Sequence, residues 1–160
     1  MSADLVAFLR ARLDKDERVA RAVLGAPWVR RKDVAGVHAD DATDDRPDGT
    51  PVADCRHVPA EYEHKVAVAE HIARHQPARV LAEVEAKRRI VDAYAVVLGE
   101  QGVLREQMRI ALAEGREEDF MRMHRQESNL IERARHLAPA TQALALPYAE
   151  HPDYREEWRQ

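Results

Sequence analysis

One proline divides the most strongly helical part of this chain. From Glu61 to Leu98 the sequence EYEHKVAVAEHIARHQPARVLAEVEAKRRIVDAYAVVL keeps apolar residues at helical spacing, and only Gln76-Pro77 interrupts it. A residue that precedes proline is pushed out of helical geometry, so a first helix over about residues 60–75 must end there. Pro77 itself suits the first turn of a following helix, where a backbone amide would have no partner in any case. In that second helix Val80, Val84, Val91, Ala95 and Leu98 share one face, with Leu81 beside them, and Lys87 and Arg88 interrupt the same face. Two helices with so short a turn pack as antiparallel neighbours.

The rest of the chain supplies helices on either side. Ser2 is placed to cap a first helix reaching about Leu24, with Leu5, Phe8, Leu9, Leu13, Val19, Ala20, Val23 and Leu24 on one stripe. Gly25 and Pro27 stop it. Between Ala26 and Ala60 the pattern changes to prolines, glycines and the acids Asp40, Asp41, Asp44, Asp45 and Asp48. Short strands are expected at Trp28 to Arg30, Val34 to Val37 and Pro51 to Ala53, with Asp48-Gly49 as a turn. Gly99 and Gly102 predict a break or kink, Val103 to Ala113 continues the helical pattern, and Gly115 suits a C-terminal cap. Glu117, Glu118 and Asp119 then favour the first turn of a last helix. It presents Phe120, Met123, His124, Glu127, Leu130, Ile131 and Ala134 on one side and is expected to end near Pro139.

These elements predict a mainly α protein: an antiparallel helical bundle or set of helical hairpins, with a small β-hairpin or irregular insertion after the first helix. The expected organisation is one helical domain over residues 1–160, in which 26–60 form the insertion and 140–160 a docked C-terminal tail. Tyr148, Tyr154 and Trp158 lie in that tail, and terminal segments become ordered only when something ties them down. With aromatics at only 5%, aliphatic residues must fill most of the core.

Composition excludes more than it identifies. A net charge of -4 gives no general attraction to nucleic acid or anionic lipid. The single Cys55 cannot close a disulfide within the chain, and no apolar run approaches the roughly 20 residues that span a bilayer. A cytoplasmic protein with no membrane partner is expected. Arg30-Arg31-Lys32 and Lys87-Arg88-Arg89 are short basic runs set among acids, without a recognisable nucleic-acid motif, so nucleic acid is the less favoured partner.

Three patterns carry candidate chemistry. His64, His71 and His75 project within an arc of about sixty degrees on one helix face, and His71 and His75 have the i, i+4 spacing of metal ligands on helices. Cys55 and His57 just upstream could complete a zinc site. Yet Ile72, Ala73 and Arg74 stand where a zinc protease would carry its glutamate, so polar or half-buried histidines that cap or hydrogen-bond their neighbours are the simpler reading. Lys87 and Arg88 either extend their charges to water or pair internally, with His124 and Glu127 as the partners a helix-on-helix arrangement offers. No assigned catalytic residues emerge, and no cofactor is required. Ile90, Tyr94 and Val97 lie off the main stripe and form a candidate face for self-association.

AEHIARHQPARVLAEVEAKRRIV, followed near the C-terminus by LALPYAEHPDYREEW, resembles an uncharacterised family of actinobacterial and phage proteins, domain-of-unknown-function family 6221. VAFLRARLDKDERVARA and APW are similar to its N-terminal segment, so the resemblance covers most of the chain. It implies a small soluble protein of actinobacteria or their mobile elements and carries over no activity, cofactor or catalytic residue. The favoured reading is a non-enzymatic accessory or protein-interaction protein, acting through an unidentified protein partner or as a homo-oligomer. The alternatives are a small metal-binding protein or metal-dependent hydrolase using His71 and His75, and a nucleic-acid-associated regulatory protein.

Overall fold

The amide that Pro77 lacks falls in the first turn of a long helix, and the preceding residues leave helical geometry as the sequence requires. A computed structural model describes residues 2–23, 25–31 and 35–159. Leu24, Lys32 and Val34 lie outside the described residues, as does the side chain of Ser2, and with them parts of the first stripe, the first basic run and the second expected strand. The elements are α1 (Ser2–Ala22), β1 (Trp28–Arg30), β2 (Gly36–Ala39), β3 (Pro51–Asp54), α2 (Tyr62–Arg74), α3 (Pro77–Ala113) and α4 (Glu117–Ala143). Two short 3-10 turns, Leu146–Tyr148 and Glu156–Trp158, complete the chain. The protein is mainly α, with a small antiparallel sheet after the first helix. It divides into two compact units: Met1–Lys15 with Glu85–Gln160, and Asp16–Val84.

In the second unit the strands lie in the order β1-β2-β3, all antiparallel, with Val29 opposite His38 and Val37 opposite Ala53. Ala35, Val37, Cys55 and Ala69 form its buried core, and Trp28, Ala53, Val68 and Ile72 pack against it. α2 therefore lays its small and aliphatic face on the sheet. The acidic insertion is a built turn: Asp41 accepts hydrogen bonds from the Thr50 amide and hydroxyl, each at 2.7 Å. Those donors hold its carboxyl below the ordinary aspartate range. Gly49 has φ +77°, and a Cβ there would stand 2.1 Å from the Ala39 carbonyl oxygen, so only glycine fits.

In the first unit the antiparallel packing can be read from ion pairs. Arg10 pairs with Asp92 and Arg88 with Asp14, each at 2.6 Å, so positions rise along α1 as they fall along α3. Arg105 with Glu127 and Arg133 with Glu100 show the same reversal between α3 and α4. The turn between these helices closes on Gly115 at φ +71°, where Arg116 N–H donates to the Ala111 carbonyl and Gly115 N–H to that of Leu112. This is the paired bonding of a Schellman cap.

Several boundaries differ from the sequence reading. α3 runs unbroken through Gly99 and Gly102, because the same face buries Val97, Gln101 and Leu104 across them. Packing along a face outweighs the roughly 1 kcal/mol per residue that glycine costs a helix. α4 likewise continues past Pro139 to Ala143. Pro139 is exposed, and the turn after it is fixed by fully buried Thr141, whose hydroxyl donates to the Leu137 carbonyl at 2.9 Å. Tyr94 and Val97 are 5% and 0% exposed. They belong to the core seam with Val91, Gln101, Leu104, Met108 and Ala111, in steps of three and four residues, and cannot form the self-association face expected with Ile90. In α1, Leu5, Phe8, Leu9 and Leu13 are buried as expected, while Val19 and Val23 stay exposed.

Candidate functional site

The densest collection of chemically versatile side chains lies where α1 meets the C-terminal tail, within the first unit. Asp4, Phe8 and Arg12 recur every fourth residue and therefore share one face of α1. Around Phe8 stand Tyr148, His151, Tyr154 and Trp158, with ring centroids 6.2, 5.7, 6.3 and 4.9 Å away. Trp158 is 3% exposed and Phe8 8%. Pro147 and Pro152 break the tail into short turns, which lets four rings reach one helical residue. Arg155 donates to Asp4 at 2.8 Å and lies over the Trp158 ring, and Arg12 lies over Phe8. Each cation thus faces the electron-rich side of an aromatic ring.

A cleft of about 460 Å³ opens elsewhere in the first unit, along α3 and α4. Val103, Leu104 and Leu130 give it an apolar floor, Gln107, Gln126 and Asn129 line its sides, and the Glu100 and Arg133 pair crosses it. Beside it Val96, Val103 and Ile110 recur at seven-residue spacing while remaining 56%, 61% and 38% exposed. A second cleft, of about 520 Å³, belongs to the aromatic cluster and is lined by Phe8, Arg12, Tyr154, Arg155 and Trp158 among others.

The polar residues singled out by sequence are distributed differently from the expected quartet. Arg88 pairs with Asp14, whereas Glu127 accepts from Arg105 at 2.6 Å and lies 3.8 Å from His124. Residues 88 and 105 of one helix are about 25 Å apart along its axis, so Lys87 and Arg88 do not reach His124 and Glu127. The short turn at Gly115 fixes this register, setting Glu127 opposite Arg105.

Among the histidines, His71 and His75 come together with ring centroids 4.3 Å apart, and His75 Nδ1 lies 2.8 Å from the His71 carbonyl oxygen. His64 is exposed on the same helix, two turns earlier. Cys55 is buried in the second unit's core, while His57 is exposed beside Asp54. Among the described residues no three His, Cys, Asp or Glu side chains gather into a metal-ligand set. The basic runs are largely engaged: Arg31 reaches Asp40 and the Asp48 carbonyl, and Arg89 pairs with Glu85. Among the described residues no helix is long and apolar enough to cross a membrane.

Sequence reasoning found the tail aromatics but missed their partners. Phe8 read as one core residue among many, and Arg12 and His151 went unremarked. The available signal was the Asp4, Phe8, Arg12 spacing on a single helix face.

Fold and clefts together define a small, mainly helical protein with a docked aromatic tail and surface grooves along α3 and α4 and beside the tail. The chain belongs to DUF6221, a family of unknown function, whose sequence model matches residues 2–160. No curated protein and no solved structure matches it significantly.

Proposed function

We propose that the protein is an accessory interaction protein whose α3 and α4 hairpin pairs with the hairpin of a second copy. The observation that carries this reading is the row Val96, Val103 and Ile110, exposed at seven-residue spacing beside an apolar groove. Such spacing is that at which one helix meets another along its length. The groove's α4 wall adds Gln126, Asn129 and Arg133, the last paired with Glu100. An antiparallel copy centred on Val103 sets Val96 against the partner's Ile110. One patch then serves both partners, as a two-fold dimer requires.

Sedimentation equilibrium over a range of concentrations tests this. The unmodified chain should dimerise and Val103→Glu should be monomeric, with monomer stability changed by no more than about 0.5 kcal/mol because the site is exposed. A chain that stays monomeric at about 0.5 mM removes the reading, since mass action then favours any dimer of useful affinity. The close His71 and His75 pair supports a second reading, a weak zinc site, which predicts a zinc-dependent rise in Tm lost on replacing both residues by Ala. A cytoplasmic location rests on the lone cysteine, and a source in actinobacteria or their mobile elements rests on the family resemblance.

A further inference from the structure

The cleft between α1 and the tail holds hydrogen-bonding groups that the chain leaves unused. Arg12 is half-buried, and among the described residues no carboxylate pairs with it; its Nε has no hydrogen-bond partner. Tyr154 Oη and Trp158 Nε1 are likewise buried without partners, and all three residues line the same cleft of about 520 Å³. Native proteins satisfy nearly all such groups, so three converging on one cleft from two segments call for an acceptor. Arg12 Nη1 lies against His151 Nε2, so the guanidinium is held on that side and its Nε is the group left without a partner.

We propose that this cleft binds a small monocarboxylate with a flat apolar body, its carboxylate held by Arg12 and its body against Phe8, Trp158 and Pro152. Ala7 and Ala11 keep the α1 wall low, and the aromatic rings offer stacking surface. Planar guanidinium matches carboxylate geometry with two parallel donors. The acids Asp4 and Asp153 at the same cleft oppose a dianion such as phosphate. Because the unpaired atoms are covered, entry requires a shift of the Pro152 to Trp158 segment, and Trp158 reports it. Glu157 Oε1, also buried, has the Arg155 guanidinium 3.7 Å away and takes no part in the site. The site is separate from the α3 and α4 groove, so it stands or falls independently of dimerisation.

The test is Trp158 fluorescence in full-length Trp28→Phe protein, titrated with phenylacetate, with its neutral amide phenylacetamide, and with inorganic phosphate. Phenylacetate should give a saturable change with a Kd at or below about 1 mM, and the other two should bind at least about tenfold more weakly. Arg12→Gln should weaken phenylacetate about tenfold or more, Arg12→Lys less, and Tyr154→Phe by severalfold, with circular dichroism confirming that each variant is folded. Tyr154→Phe, which removes only a hydroxyl, keeps the test decisive should the Arg12 variants unfold. Equal binding of phenylacetamide or phosphate, unchanged affinity in the folded Arg12→Gln and Tyr154→Phe variants, or no saturable signal up to about 10 mM would each overturn the proposal.

Discussion

Within the first unit, α3 meets two different surroundings. Near Arg88 to Leu98 it lies along α1, whose other face is covered by the aromatic tail, and Leu9, Leu13, Val91 and Val97 are essentially inaccessible. Farther on it pairs with α4, and there Phe120, Met123 and Leu130 are only half-buried while Val103, Leu112 and Met121 are more than half exposed. Both regions carry the same three-and-four apolar spacing and similar ion pairs. What separates them is the number of layers: a helix face closes fully only when elements cover it from more than one side. The capped region is therefore expected to supply most of the unit's stability, and the hairpin is left with surface available for a partner.

Truncation should separate the two regions most clearly. Trp158→Ala should destabilise the protein by about 3–5 kcal/mol in chemical denaturation, as for other large aromatic side chains removed from a core. Phe120→Ala, in the hairpin, should lose only about 1–3 kcal/mol, since its site is already partly open. Equal losses would break the comparison. Charge should reverse the order. Arg105→Ala strips the partner from Glu127, whose side chain is 13% exposed, and should cost about 1–2 kcal/mol. Arg10→Ala, in the capped region, breaks a pair exposed on both sides and should cost no more than about 1 kcal/mol.

Smaller effects sharpen the picture of the long helix. A Cβ at Gly99 or Gly102 would meet nothing within 4 Å, so each Gly→Ala change should raise stability by about 0.5–1 kcal/mol in thermal unfolding. At the hairpin tip the Asp119 carboxyl is held below the ordinary aspartate range chiefly by its hydrogen bond from Arg116, with Arg122 assisting. A depressed folded-state value means that this contribution is present above the unfolded value of about 3.9 and is lost as pH falls through the lower folded value. Carboxyl NMR titration of Asp119 should place its midpoint below 3.9, roughly the unperturbed aspartate value. A midpoint at or above that value would remove the tip's ion network.

Local chemistry made part of this architecture legible. Pro77 opens α3, Gly115 closes it, and Gly49 turns the acidic insertion, each because no other conformation satisfies the residue or its neighbours. Pro139 and the glycines in α3 misled for the complementary reason: their local cost is about 1–3 kcal/mol, and burial of Thr141, Val97 and Gln101 on continuous faces exceeds it. Of the candidate sites, the tail aromatics were visible in sequence and their receptor was not. Docking partners 140 residues apart leave no periodic trace, roughly because periodicity records only the face a segment buries and not what covers it.

The sequence by itself determined the helix boundaries at Pro77 and Gly115, that the chain is mainly α with short strands after the first helix, and that its tail has aromatic rings to bury. Tertiary structure decided the pairings. It sent Arg88 to Asp14 and Glu127 to Arg105, moved Tyr94 and Val97 into the core, and gathered Arg12, His151, Tyr154 and Trp158 around Phe8. Backbone preferences act over a few residues and can be read along the chain. Which apolar faces and charges meet depends on the register of packed helices, and that register is fixed only when the whole unit closes.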